Sequence, residues 1–472
     1  MLCDEEGRTT AVGKRVVKFV ERYYRQVEFQ EGKMGVITAK FGGSSVADAA
    51  QIRKTKDIVM SRSNRRYVVV SGPGKRSSED EKVTDLLYRY QGLAAAGDEN
   101  GAAAVFSVIE ERFIGLKREL AASVDIESAL AKVAADLTAG ASADYAASRG
   151  EFLNAQLIAA FYGYDFVDAA GLVLFDEDGN FLAEKTNAAL SEELAKHERA
   201  VVPGFYGTWP DGSPKTFSRG GSDVTGALVA RAVQADVYEN WTDVSGFLMT
   251  DPRVVKNPHP IPVISYREQR ELSSMGASVL HEDAVTPARL AGIPINIRNT
   301  NAPDEAGTMI VSDDAPEAVS PGVRGISGKK GYAALRVYRN AAGGGARILA
   351  PIFAVASQRG IQPDFALSAV DAATLYFADG ADASALASAL EKESSETRAE
   401  ETTVAGGITL IAVVGNGVGA DPGAAAKATA ALAEGGIKSY GACFSVSETN
   451  LLVGVADRDY EAALNALYAK FS

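Results

Sequence analysis

Apolar and polar positions change period several times along the chain, and each change marks a predicted element. Val12, Val16, Val20, Tyr23, Tyr24 and Val27 recur at helical spacing with Lys14, Arg15, Lys18, Arg22 and Arg25 among them, which predicts an amphipathic helix. From Val36 the pattern becomes strand and helix in alternation. VITAKF is a short strand-like run, SVADAAQIRKTKDIVMSR is helical, and RRYVVVSG is apolar enough for a strand covered on both faces. Such alternation predicts a mainly parallel sheet sandwiched by helices, with ligands at the carboxyl ends of the strands. Lys40 and Ser71 close two of these strands and so fall on one edge.

The last third of the chain follows another order. YAALRVYR, ARILAPIFAVASQRG, IQPDFALSAV, ATLYFAD and ASALASALEKE predict strand, helix, strand, strand, helix. The same order returns from ITLIAVVGNG through GAAAKATAALAEGG, IKSYGACFSV and NLLVGVAD to YEAALNALYAKF. This is an internal repeat with a period of about 70 residues and a ferredoxin-like pattern. The second copy ends on a helix at Ser472, so another segment must pair its open edge. GTMIVS, residues 307–312, is the expected donor, and its use would interleave the two modules. Open sheet edges tend to associate, so a homodimer built mainly through these modules is expected.

Composition narrows the setting. A chain of 472 residues exceeds one ordinary core and predicts two or three domains. Lys and Arg total 48 against 61 Asp and Glu, a net charge of -13, which gives no basis for broad contact with nucleic acid or a membrane. Cys3 and Cys443 are the only cysteines, so a disulfide framework or thiolate metal site is not expected, and a reducing cytoplasm fits. No apolar run approaches the ~20 residues that span a bilayer. Asp4, Glu5, Glu21 and Glu28 argue against a transit peptide in residues 1–33. Because MGVITAKFGG begins a more usual strand start at Met34, this extension is expected to be an upstream start without a role, a docking arm being the other reading.

Three polar stretches carry candidate chemistry. In KFGGSS, Lys40 precedes Gly42 and Gly43, which excludes the P-loop, where lysine follows the glycines. The glycines still let backbone N–H groups approach a phosphate, and the ammonium adds a point charge; a tight turn with a solvated lysine is the plainer alternative. In KTFSRGGSDVTGAL, Arg219, Gly220, Gly221, Ser222 and Asp223 lead into a helix expected near Val224, with Ser222 or Asp223 as its cap. In YENWTDVSGFLMTDPRVV, Asp243, Asp251 and Arg253 follow a strand and suit a nucleotide or its metal.

Taken in order with MGASVLH, these stretches resemble aspartokinase, of the amino acid kinase superfamily, over nearly everything after residue 34, and the repeat resembles paired ACT domains, which bind amino-acid effectors. The resemblance implies an amino acid kinase domain at 34–306, a linker at 307–322 that is a possible strand of the second ACT module, and βαββαβ ACT modules at 323–405 and 406–472. It implies transfer of a phosphoryl group from ATP, with Mg²⁺, to L-aspartate, giving 4-phospho-L-aspartate at the start of lysine, threonine and methionine synthesis. Lysine or threonine would be the effector. A side-chain carboxylate is already ionised at neutral pH, so such a transfer needs positive charge and alignment rather than a general base.

By the same resemblance Lys40 stabilises the moving phosphoryl group, with Asp223 as an organiser, Ser71 lies near the transferred phosphate, and Gly42, Gly43, Gly220 and Gly221 offer backbone groups. Thr84 contacts aspartate, Glu151 receives its ammonium, Phe205 lines its pocket, and the Arg219 guanidinium suits its α-carboxylate. Asp243 and Arg253 match the nucleotide side. For the effector, Ser368 and Asp371 in one module and Ser445, Glu448 and Asn450 in the other are candidates, with backbone groups near Gly344 and Gly417. No metal ligand set from the protein is expected. Ser278 stands where many relatives carry lysine and Glu282 where they carry proline, so either another cation, with Lys75, Arg253 and Lys256 as candidates, serves the nucleotide instead or ATP binds more weakly. The loop from Gly74 to Lys82 is charged and resembles a flap, and His281 is expected to be packed rather than a ligand. A non-catalytic amino-acid sensor would keep the repeat and lose Lys40 or Asp223. A sister kinase, such as one for N-acetylglutamate, would lack the repeat and the WTDVSGFLMTDPR stretch.

Overall fold

Five consecutive buried residues, Ile37–Phe41, form the first strand, β1, and they can all be buried because helices cover both faces of the sheet around it. The structure, a computed structural model, describes Tyr24 and residues 35–218, 220–277, 279–280, 282–319, 321–339, 345–392, 399–444 and 448–472. They fall into two units. One runs up to Phe247 and takes in Pro260–Ser273 and Ser278–Val319; the other comprises Leu248–His259, Ser274–Ala277 and Ser320–Ser472.

In the first unit β1 is followed by helix α1 (Ala49–Met60), β2 (Arg65–Val70), and helices α2 (Val83–Ala95), α3 (Glu99–Leu120), α4 (Ile126–Thr138) and α5 (Ala143–Tyr162). Then come β3 (Asp165–Phe166), α6 (Ala183–Leu194), β4 (Ala200–Pro203), the hairpin strands β5 (Tyr206–Thr208) and β6 (Pro214–Thr216), α7 (Gly221–Ala232) and β7 (Val237–Thr242). β8 (Val263–Ser265), α8 (Tyr266–Ser274), α9 (Thr286–Leu290), β9 (Ile295–Asn299) and β10 (Thr308–Val311) complete it. Among the described residues the sheet order is β3-β4-β2-β1-β7-β9-β10-β8, parallel throughout except where β10 meets β9. This is the expected mainly parallel architecture. Polar caps set the helix ends: Asp48 Oδ1 accepts the N–H of Gln51 at 2.8 Å, and Ser142 Oγ that of Tyr145 at 3.1 Å.

The second unit contains β11 (Gly325–Tyr338), α10 (Gly345–Gln358), β12 (Phe365–Ser368), β13 (Ala372–Phe377), α11 (Gly380–Lys392), β14 (Glu401–Val414), α12 (Pro422–Glu434), β15 (Ser439–Phe444), β16 (Asn450–Ala456) and α13 (Tyr460–Phe471). Its sheet runs β12-β13-β11-β14-β16-β15, all antiparallel. β11 and β14 are 14 residues each, twice the length one module needs, and each serves both modules. Tyr332–Tyr338 of β11 and Glu401–Ile408 of β14 pair in the first module, while Gly325–Lys329 pairs with Leu410–Val414 in the second. The modules therefore interleave as expected, but the donor is 325–329.

GTMIVS is a correction. As β10, it lies between β8 and β9 in the other unit's sheet, where Met309 and Ile310 are fully buried. A strand apolar on both faces needs cover on both, which a central position supplies. The expected continuous kinase domain is also interrupted, because Leu248–His259 packs with the second unit: Val255 joins the core of the second module, and the N–H of His259 donates to the Tyr468 hydroxyl at 3.1 Å. No helix among the described residues is long and apolar enough to cross a membrane.

Of the extension, the described residue is Tyr24. This residue is 3% exposed, packs with Ile37, Val237 and Met309, and its hydroxyl donates to Glu239 Oε1 at 2.7 Å and Asn296 Oδ1 at 3.2 Å. Glu239 is also held by Arg65 at 2.7 Å and by the Trp241 indole N–H at 2.8 Å. Burial pushes the Glu239 carboxyl up, but Arg65, Arg298 and the Tyr24 hydroxyl together outweigh it and leave the carboxyl at about 2. Replacing Tyr24 with Ala removes a buried ring and is expected to lower the thermal midpoint of the kinase unit by about 5 °C, and with Phe by less than half of that, as read by scanning calorimetry.

Candidate active site

At the carboxyl end of β1, Lys40 lies level with Asn240 of β7, and in a parallel pair that register turns both side chains to one face. Lys40 Nζ is 2.5 Å from Asp223 Oδ1, and Asn240 Nδ2 donates to the same oxygen at 2.8 Å. The Tyr238 hydroxyl donates to the Asp223 carbonyl at 3.1 Å, fixing the first turn of α7 to the strand below. The two charged side chains are 8% and 19% exposed, so the ammonium is neither solvated nor unpaired. The plain turn with a solvated lysine is thereby set aside.

Asp223 is free for this because the expected cap does not form. α7 starts at Gly221, earlier than Val224, and Gly220 caps it through its backbone alone, with φ at +58°. Glycine takes that left-handed conformation without strain. A Cβ on Gly221 would come within 2.7 Å of Phe205, so tight packing, not side-chain capping, fixes the helix start. Phe205 itself has φ +79°, and its N–H donates to Thr225 Oγ1 of α7 at 3.1 Å.

Two turns interlock beside Lys40. The N–H of Gly74 donates to the Gly43 carbonyl at 2.9 Å, and that of Ser71 to the Phe41 carbonyl at 3.1 Å. A Cβ on Gly74 would sit 2.6 Å from the Gly43 carbonyl carbon, which no other residue tolerates without displacement. The N–H of Gly42 donates to the Trp241 carbonyl at 3.1 Å and is thereby engaged, contrary to expectation, which leaves Gly43 as the candidate of the two to meet a phosphate. Asn154 Nδ2 anchors the same edge by donating to the Ser71 carbonyl at 2.8 Å. Between the turns opens a cleft of about 540 Å³ whose wall includes Ser71, Lys75, Lys82, Thr84, Glu151 and Asp243.

Glu151 is not at a helix start, as its sequence setting implied, but midway along α5, 5% exposed. Burial pushes its carboxyl up to about 7, against the pull of backbone N–H groups of Gly72 and Glu151 and of nearby Arg149. Oε2 has no hydrogen-bond partner. A buried carboxyl with one unsatisfied oxygen facing a cleft is suited to an ammonium.

The other predicted residues are distributed as follows. Arg219 lies outside the described residues, as do Ser278, His281 and Ser445, and the side chain of Glu282 is not described. Arg253 belongs to the second unit, where it is 84% exposed and its guanidinium grips Asp251 at 2.7 Å. Of Lys75, Arg253 and Lys256, the candidate cations for the nucleotide, Lys75 is the one on the cleft wall. In the second ACT module the N–H groups of Gly415 and Gly419 donate to the carbonyls of Thr449 and Glu448 at 2.9 and 3.0 Å, which brings the loop at Gly417 beside Glu448 and Asn450. Ser368 and Asp371 bound the β12–β13 turn of the first module.

Sequence reasoning missed Asn240, Asn154, Lys82 and Arg149. Asn240 carried a signal, a polar residue inside the otherwise closed strand VYENWT. Arg149 gave little, since its guanidinium lies 4.5 Å from the Tyr145 ring and 4.4 Å from that of Phe152, contacts only folding creates.

A parallel sheet carrying a paired lysine, interlocked glycine turns and a buried carboxylate at its strand ends, joined to an interleaved ferredoxin-like pair, defines an amino acid kinase with a regulatory unit. The Amino acid kinase family model matches residues 35–299 and the ACT domain model residues 411–471. Aspartokinase 3 of Bacillus subtilis (strain 168) is 35% identical over 92% of this chain and 98% of its own, and lysine-sensitive aspartokinase 3 of Escherichia coli (strain K12) 28% over the same two shares. The crystal structure of Clostridium acetobutylicum aspartate kinase is 40% identical, with a TM-score of 0.86 over 93% of this chain and 100% of that one. The chain belongs to the aspartokinase family. It is an aspartate kinase, an enzyme that phosphorylates the side-chain carboxylate of L-aspartate from ATP and is regulated through ACT domains.

Ionised Glu151 is the form that can receive an ammonium, and burial pushes its carboxyl up to about 7. The KM for aspartate is therefore expected to rise as pH falls from 8 to 6, approaching tenfold per unit below about 7. Glu151→Gln should give a high KM that no longer varies over this range, which steady-state kinetics on both proteins would check.

Proposed function

We propose that aspartate binds in the cleft beside Lys40, with its ammonium on Glu151, its side chain against Thr84 and Phe205, and its α-carboxylate on Arg219. The observation that carries this reading is the convergence of Glu151, Thr84 and Ser71 on one cleft lined by Gly43, the neighbour of Gly42, on which a Cβ would meet Lys40 Nζ at 3.5 Å. The nucleotide phosphates lie along the backbone of Gly43, Gly220 and Gly221, with Ser71 beside the transferred group and Asp243 toward the nucleotide. Asp243 is a carboxylate on the cleft wall and suits Mg²⁺ that is held mostly by phosphate oxygens and water. When bound with ATP, that ion offsets phosphate charge.

The chain's own groups then have defined tasks. The aspartate carboxylate attacks without losing a proton, so nothing acts as a general base. Asp223 and Asn240 hold the Lys40 ammonium at a fixed point, which lets it meet charge on the moving phosphoryl group without reorganisation. Because Asp223 balances part of that charge, Lys75 and Lys82 on the wall supply the rest of the positive field. Arg253, though placed on the nucleotide side by resemblance, is committed to Asp251 and has a weaker claim than Lys75.

Regulation follows from the second unit. An amino-acid effector, lysine or threonine, sits where the Gly417 loop meets Glu448 and Asn450, its carboxylate on backbone N–H groups and its ammonium on Glu448. Ser368 and Asp371, with Ser445, form the rest of the candidate set. The lysine-sensitive relative supports lysine first. A homodimer forms through these modules. An ADP-release assay tests the reading: aspartate should support turnover, while glutamate and N-acetylglutamate should support little, and lysine, threonine or the pair should inhibit. Glu448→Gln should raise the inhibitory concentration about tenfold or more at unchanged uninhibited rate. Equal turnover with N-acetylglutamate would contradict the substrate assignment, and unchanged inhibition in Glu448→Gln would contradict the effector site.

A further inference from the structure

The loop from Gly74 to Lys82 carries two cleft lysines and leads into α2, which carries Thr84, so its position sets the shape of the substrate cleft. One buried side chain holds it. Arg112, on α3, has a side chain only 3% exposed, and its guanidinium meets four oxygens from three separate places. Nη1 donates to Asp80 Oδ2 at 3.1 Å and to the Glu81 carbonyl at 3.0 Å. Nη2 donates to the Ala47 carbonyl at 3.1 Å and to the carbonyl of Gly74. Ala47 ends the short turn that begins at Gly43, and Gly74 is the residue interlocked with Gly43. A single planar cation thus ties the turn after β1, the turn after β2 and the far end of the charged loop.

The far end is held from outside as well. Asp80 receives Arg76 through both carboxylate oxygens, at 2.8 and 2.9 Å. The Arg76 hydrogen bonds keep the Asp80 carboxyl well below the usual carboxylate range, so the junction stays ionised throughout neutral pH. Asp80 is accordingly shared between an exposed arginine, which can let go at little cost, and a buried one, which cannot.

We propose that Arg112 is a positioning residue of the kinase reaction, the fixed post against which the 74–82 loop closes over aspartate and ATP while the two glycine turns are kept in register. It touches no substrate in this arrangement. Its effect reaches the reaction through Gly74, which sets the turn at Gly43, and through Asp80 and Glu81, which place Lys82 and Thr84. The proposal rests on the aspartokinase reading for its substrates, but the loop contact itself does not.

The test joins kinetics to limited trypsin digestion of the full chain, since Lys75, Arg76 and Lys82 put cleavage sites within the loop. Arg112→Met is expected to speed cleavage at these sites at least tenfold relative to sites elsewhere, to raise the KM for aspartate about tenfold, and to lower kcat. Aspartate with a non-hydrolysable ATP analogue should suppress the added cleavage. Arg112→Lys, which keeps the charge but not the fork, should fall between wild type and Arg112→Met. If Arg112→Met does not fold, Asp80→Asn decides: it frees only the loop's far end and should raise both loop cleavage and the KM for aspartate. A folded Arg112→Met, or failing that Asp80→Asn, with wild-type loop cleavage and wild-type KM would overturn the proposal. Absence of turnover in the wild-type protein would instead count against the aspartokinase reading and leave the cleavage comparison standing.

Discussion

A lysine that ends a buried strand needs a counter-charge, and the pairing of Lys40 with Asp223 is the constraint on which the catalytic unit is arranged. Asp223 reaches it only if α7 begins at Gly221, and α7 begins there only because Gly220 takes a left-handed turn and Gly221 lets Phe205 pack against the helix. Asn240 and Tyr238 then hold Asp223 from the neighbouring strand. The same residues that make the fold close make the ammonium stationary. A stationary charge is worth more to a phosphoryl transfer than a mobile one, because no reorganisation precedes the chemistry.

Beside that pair the cleft wall carries a carboxylate whose hydrogen bonding the protein leaves incomplete. Glu151 is buried with one oxygen unsatisfied, an arrangement that costs stability until an ammonium arrives. Elsewhere in the same unit the balance is reversed. Glu239 is buried yet fully engaged by Arg65, Trp241 and Tyr24, and its carboxyl is held low. Burial alone does not decide a carboxylate's behaviour; the number of donors facing it does.

The alternation of strand and helix, the placement of Lys40 and Ser71 at one edge, and the ferredoxin-like repeat were legible because each rests on local period and motif. What was not legible depends on contacts between distant segments. GTMIVS has the composition of a strand, but composition does not name its neighbours, and its two apolar faces drew it into the larger sheet. GISGKKGYAALRVY is one long strand across two modules, and the run GKKG at its middle looks like a break, which hid the true edge donor. Ser222 and Asp223 have the chemistry of caps, yet the demand of Lys40 for a partner and the Phe205 packing overrode that preference. Tyr24 sat on a visible helical pattern, but nothing local shows that its hydroxyl would reach Glu239.

The most direct measurement of the account is a double-mutant cycle on Lys40→Met and Asp223→Asn, with kcat for ADP release under saturating aspartate and ATP as the readout. If Asp223 acts by holding Lys40, each single change should cost on the order of a hundredfold or more, and the double change little beyond the worse single one. Losses that multiply, so that the double variant falls by the product of the two, would mean that the residues act independently and would contradict the account.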